Sequence, residues 1–295
     1  MKITFKYFFI LVLLLSIING CKERESKNES VQIAIEDESA TVETKIRQIF
    51  YNMYIPTEMS RLFEKVGANY NPSILNSADN VSRYSTPNKI ALNLGLYGVD
   101  MSYTRIFDQK SNTAKYFTSI QLLSEKLGIP GNYFLDILDS FEKYRGDKDS
   151  LTKLAGDIYE RSDIFLKEND KESYAALVIL GGWIEAIYIA SKIAETDPDN
   201  SEIIQRIAEQ KYSLNSIISL LHNYQDDEGI TENILMLKQL KKTFDKIEIY
   251  YNQKSFSVDT VNKLISASDY VVEITPENIA EINAVISEIR MTIVD

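Results

Sequence analysis

The sequence predicts an all-α protein of about ten helices, on three observations. Apolar residues recur every three or four positions over long stretches. Ile230, Ile234, Leu237, Leu240, Phe244, Ile247 and Tyr251 form one stripe, and Ile279, Ile282, Ile286, Ile289 and Ile293 another. Ile203, Ile207, Leu214, Ile217 and Leu221 make a third stripe, and Leu151, Leu154, Ile158 and Phe165 a fourth. No run of similar length alternates with period two, so no sheet is expected. With only 11 Gly and 6 Pro in 295 residues, little interrupts these stretches.

The chain opens on a different pattern. Lys2 and Lys6 precede Tyr7 to Ile18, an apolar run broken only by Ser16. A membrane-spanning helix needs about 20 apolar residues, so this run reads as the core of a signal sequence. Ile18-Asn19-Gly20-Cys21 follows, an aliphatic residue, two small or polar residues and a cysteine. This resembles the lipobox of bacterial lipoproteins. The resemblance implies a signal peptide over 1–20 and, on Cys21, a diacylglycerol and further acyl chains that anchor the protein to a membrane. The alternative is a secreted protein with a cysteine at the cleavage site by chance. Cys21 is the only cysteine, so no disulfide forms within the chain and no other thiol is present for catalysis.

Residues 22–39 are rich in Lys, Glu, Ser and Asn and are expected to form a flexible tether. Lys22 in place of Asp implies, by resemblance to Gram-negative lipoproteins, transport to the outer membrane. Lys22-Glu23-Arg24-Glu25 resembles surface-export signals of Bacteroidetes lipoproteins, which leaves open whether the periplasmic or the surface face is occupied.

The remaining chain, 40–295, reads as one helical domain. Helices are expected at 41–54, 57–67, 87–109, 112–128, 131–145, 148–168, 171–196, 200–224, 230–253, 258–269 and 276–293. Thr86-Pro87 and Thr275-Pro276 place a hydroxyl at the N-cap and a proline at the first helical position, where no N–H is needed. Asp147, Asp170, Asp199 and Ser257 are further caps. Gly67, Gly128 and Gly146 suit the left-handed position after a helix. The Asn- and Pro-containing stretch from Gly67 to Ser85 should be irregular. Short connections imply antiparallel neighbours, in a bundle or a short α-solenoid.

One internal likeness stands out. Leu94-Gly95-Leu96-Tyr97 precedes Asp100 and Tyr103, and Leu180-Gly181-Gly182-Trp183 precedes Glu185 and Tyr188. The Leu-Gly-any-aromatic start, with Ala194 to Asn200, is similar to tetratricopeptide (TPR) hairpins, though without their 34-residue period. On its "LYGVDMSY" and "GGWIEAIY" stretches, the chain also resembles an all-helical family of Bacteroidetes lipoproteins. That resemblance implies no chemistry.

Tyr97, Asp100, Tyr103, Trp183, Glu185 and Tyr188 are the residues to single out. If the two copies face one another they would line a cleft, which either takes a small ligand or serves helix packing. Gly95, Gly98, Gly181 and Gly182 sit inside helices at a cost of about 1 kcal/mol each relative to Ala, which points to close approach at this place.

No phosphate loop, dinucleotide fingerprint, nucleophile elbow or zinc-binding histidine pair occurs, so no catalytic residue, cofactor or metal ligand is expected. His222, the only histidine, is a base or ligand near Asp226, Asp227 and Glu228, or simply a helix-end residue. The net charge of −11 becomes −13 once the two lysines of residues 1–20 are set aside, and that field disfavours nucleic acid. The expected function is a membrane-anchored, non-enzymatic scaffold or protein-binding module of the cell envelope. The alternative is a small-ligand receptor or carrier using the Asp100/Glu185 cleft.

Overall fold

Helices α1 (Pro87–Ile106) and α2 (Lys110–Leu127) follow the expected punctuation. Thr86 caps α1 by accepting from the Lys89 N–H, with Pro87 in the first turn. Asp108, at φ 52, breaks the chain between the two helices, and Gly128 ends α2 in the left-handed conformation at φ 81. The computed structural model describes residues 31–33, 67–129, 172–198, 200–252, 256–259 and 264–295, with positions 41, 42, 45, 49, 62, 63 and 254. The signal sequence, Cys21, the expected helices at 131–145 and 148–168 with their caps, and most of 41–54 and 57–67 lie outside the described residues.

Helix α3 (Glu172–Ala194) is the apolar centre. Its Ser173–Ala194 stretch is long and apolar enough to cross a membrane, yet most of it is buried inside the protein. It therefore reads as a core helix. Helix α4 (Ser201–Leu221) is capped by Asn200, one residue past the expected Asp199, and Asn200 accepts from the Ile203 N–H. Helix α5 (Glu228–Phe244) is capped by Asp227, and α6 (Pro276–Val294) by a reciprocal Thr275/Asn278 box. The stripes expected on α4, α5 and α6 are buried, from Ile203 to Leu221, Ile230 to Ile247 and Ile282 to Ile293. The Gly67–Ser85 stretch contains 3-10 turns at Pro72–Ile74 and Ala78–Arg83.

The protein is mostly helical, but it is not free of sheet. Strands β1 (Val31–Ile33), β2 (Glu248–Tyr251), β3 (Phe256–Asp259), β4 (Leu264–Ala267) and β5 (Tyr270–Glu273) form two small antiparallel sheets. Three expectations are corrected by them. The helix expected over 230–253 ends at Phe244, and the helix expected over 258–269, with Ser257 as its cap, is replaced by strands. The tether expected over 22–39 contains a strand, since Val31–Ile33 pairs with β4, and Val31–Asp295 is one compact unit.

The physical reason is local. Phe244, Ile247 and Tyr251 keep helical spacing, but beyond Ile247 the chain reads Glu-Ile-Tyr-Tyr, exposed and half-buried in alternation. Val, Ile and Tyr are stiff or bulky next to the backbone and favour pleated, half-buried surfaces. Tyr251 lies opposite Tyr270, and Phe256 opposite Ala267, so β2–β5 and β3–β4 succeed one another as an interrupted hairpin arm. Its inner end packs on α4. The Tyr251 ring meets those of Tyr212 and Tyr270 at 6.5 and 6.0 Å, and Lys211 donates to the Ile247 carbonyl at 2.9 Å.

Candidate functional site

The two Leu-Gly copies pack against one another. A Cβ on Gly95 would lie 1.9 Å from the Val178 carbonyl oxygen, and one on Gly181 the same distance from that of Leu92. Each glycine thus rests on the carbonyl of the residue three positions before the other glycine. The partner of Leu92 is Gly181, and the partner of Asp100 is Glu185. From the Leu92–Gly181 contact to the Asp100–Glu185 contact the positions rise on both helices, so α1 and α3 run in the same sense. Close backbone approach of this kind requires residues without a Cβ. Gly182 also faces Gly95, at ordinary contact distance, whereas Gly98 has nothing within 4 Å and takes no part in the crossing.

One turn beyond the crossing, Asp100 and Glu185 come together, both fully buried. Arg290 of α6 grips Glu185 with a fork, Nε to Oε2 at 2.5 Å and Nη2 to Oε1 at 2.8 Å. Its Nη2 also donates to the Ile74 carbonyl at 3.2 Å, and its guanidinium lies 4.1 Å from the centre of the Tyr188 ring. A planar fork with donors on both edges suits this combination, which a lysine could not reproduce.

Asp100 is served differently. Its Oδ2 accepts from the Asn76 N–H at 3.2 Å, while Oδ1 is buried with no hydrogen-bond partner. Burial and the neighbouring Glu185 push its carboxyl well above the usual carboxylate range, against the smaller opposing pull of Arg290. Both causes favour the protonated form of Asp100, whose O–H is a donor that Glu185 can accept.

Asn76 is the hub on the loop side. Its Nδ2 donates to Tyr84 Oη at 2.8 Å and to Asn93 Oδ1 at 3.2 Å, and its carbonyl accepts from Tyr116 Oη at 2.9 Å. Asn93 Nδ2 donates in turn to the Ile293 carbonyl at 3.0 Å. The loop, α1, α2, α3 and α6 are thereby joined through one polar network. Burial pushes the Tyr97 and Tyr116 hydroxyls above their ordinary range, so both act as neutral donors.

Of the six residues singled out in the sequence, Asp100 and Glu185 meet, and Tyr188 joins them through Arg290. Tyr97 donates to the Ser77 carbonyl at 2.9 Å and packs at a tilt against the rings of Tyr84 and Tyr116. Tyr103 accepts from the Asn71 N–H at 3.1 Å and packs among Phe63, Tyr70 and Phe107. Trp183 donates to Gln210 of α4 at 3.3 Å. These three serve separate packing contacts.

Sequence reasoning missed Arg290, Asn76, Asn93, Tyr84 and Tyr116. The one signal for Arg290 is its place four residues after Ile286, beside the apolar stripe of α6. His222 closes α4, with Nδ1 2.7 Å from the Ile218 carbonyl oxygen, so that nitrogen carries the proton. Among the described residues no group of three or more His, Cys, Asp or Glu could hold a metal ion. No protein-family profile matches the chain, and neither a curated protein nor a solved structure matches it.

Proposed function

We propose that the protein is a membrane-anchored lipoprotein whose helical body is a non-enzymatic scaffold or protein-binding module of the cell envelope. The observation that carries this reading is Cys21, the only cysteine, placed directly after an apolar run and Asn19-Gly20. Acylation there holds the chain on a bilayer, each buried methylene contributing about 0.8 kcal/mol, and several chains on one residue make the anchor lasting. Lys22 favours the outer membrane as destination. Because Val31 already belongs to a strand, any tether between Cys21 and the body is limited to residues 22–30, a length of chain that would span at most roughly 30 Å.

The body supports a binding role in two ways. Helices α1 and α2 make one hairpin, α3 and α4 another, and α1 lies beside α3 in the same sense, as the first helices of neighbouring hairpins do in TPR-like arrays. Such arrays act through broad surfaces. The buried acids, for their part, turn on Arg290 and on one another, which favours cohesion over small-molecule capture.

The test is fractionation of cells expressing the full chain with a C-terminal tag. Wild-type protein should enter the detergent phase and pull down specific envelope proteins after cross-linking. Cys21→Ser should appear in the aqueous phase. Retention of that variant in the detergent phase would refute the anchor, and an absence of cross-linked partners would refute the scaffold.

A further inference from the structure

We propose that Asp100 keeps its proton against the Arg290-bound Glu185, making the network that ties residues 74–84 to the helices a proton-dependent lock. The geometry requires it. Two fully buried carboxyls meet where the single guanidinium is already occupied by both oxygens of Glu185 and by the Ile74 carbonyl. Asp100 receives only the Asn76 N–H, and its second oxygen has no donor. Two adjacent acceptors without a proton would repel, and a buried charge without a counter-charge is strongly destabilising.

The groups that bear on Asp100 come from every side. They are Tyr97 of its own helix, Tyr116 of α2, Glu185 of α3, Arg290 of α6 and the Asn76 N–H of the loop. Arg290 is the sole cation among them. Burial keeps both phenols neutral, so neither could offset a charge on Asp100.

Loss of the proton would be felt first at the loop. Ionised Asp100 competes with Glu185 for Arg290, and the weakest claim on Arg290 is that of the neutral Ile74 carbonyl. Asn76, whose N–H reaches Asp100, carries the loop's other ties to Tyr84, Asn93 and Tyr116. The sign follows from proton linkage. Asp100 binds its proton more tightly in the folded chain than in the unfolded one, so its contribution to the lock is fully present below about pH 4, the unfolded value. It weakens as pH rises, up to tenfold per pH unit, or about 1.4 kcal/mol, until the folded carboxyl itself titrates.

The experiment is hydrogen exchange on the full chain in detergent micelles between pH 5 and 9, for wild type and Asp100→Asn. The side-chain amide introduced by that substitution keeps an N–H for Glu185 and has no proton to lose. Amide protection over residues 74–84, corrected for the intrinsic pH dependence of exchange, should fall with pH in wild type and stay level in the variant. Infrared spectra of the wild type should also carry a protonated carboxylic acid band at neutral pH that fades on alkalinisation. Parallel protection in the two proteins overturns the proposal. If Asp100→Asn does not fold, the wild type decides: absence of the band, or a band that fades while loop protection is unchanged, overturns the lock, and a band that fades together with loop protection sustains it.

Discussion

Arg290 is one guanidinium shared by a carboxylate, a backbone carbonyl and an aromatic face, so its removal has a definite consequence. Arg290→Met leaves Glu185 buried without a counter-charge, and the loss should be about 3–5 kcal/mol. Equilibrium unfolding in urea reads it directly. Pairing Arg290→Met with Glu185→Leu should recover most of that loss, because the cost lies in the stranded charge more than in the absent bond. Failure of the second change to rescue would place the cost in packing against Tyr188 instead. The glycines offer a second contrast within one helix. Gly95→Ala drives a methyl into the Val178 carbonyl and should cost about 1–3 kcal/mol, since backbone must move. Gly98→Ala meets nothing within 4 Å and should gain up to about 1 kcal/mol from helix propensity alone. Equal effects in the two variants would mean that α1 and α3 are not in backbone contact.

At the level of elements, the hairpin arm shows where the sequence can be read and where it cannot. Helices α4, α5 and α6 are legible because their apolar stripes run three or more turns, and α1 and α6 because a Thr-Pro pair marks their start. The arm is not, because Phe244, Ile247 and Tyr251 satisfy the helical period as well as Tyr251 satisfies a strand. A short apolar run fits either period, and the deciding neighbours, Glu248 and Tyr250, alternate over only four residues. The site divides the same way. Asp100 and Glu185 announce themselves as acids in apolar helices beside glycine, whereas Arg290 lies 105 residues from Glu185 and 216 from Ile74, separations that no local pattern spans. The arm's docking is testable through Tyr270, whose hydroxyl donates to Glu209, 3% exposed on α4. Tyr270→Phe leaves that carboxylate with Arg206 and Gln205 and should cost about 1–3 kcal/mol. Val258→Lys, at a position 63% exposed on β3, should change stability by less than about 0.5 kcal/mol. A large loss from Val258→Lys, read by thermal unfolding, would show that the outer face of β3 is covered.

For the whole molecule the governing quantity is charge. With 43 acids against 32 bases, the folded chain concentrates like charge that the unfolded chain spreads out, and self-repulsion opposes compaction. The exposed pairs Lys241–Asp245 and Lys246–Glu281 offset little of it, each contributing about 0–1 kcal/mol. Salt acts on both terms in opposite directions. Raising ionic strength from 0.01 to 1 M shortens the screening length from about 30 to about 3 Å, which weakens surface attractions and repulsions together. The net charge of −11 makes repulsion the larger effect, so the melting temperature should rise with NaCl, and KCl should do the same because screening does not depend on the ion. The buried Glu185–Arg290 pair, shielded from solvent ions, should contribute the same at either extreme, so Arg290→Met should shift the curve without changing its slope. A melting temperature that falls with salt would mean that surface ion pairs, rather than the buried network and the apolar core, hold this acidic protein together.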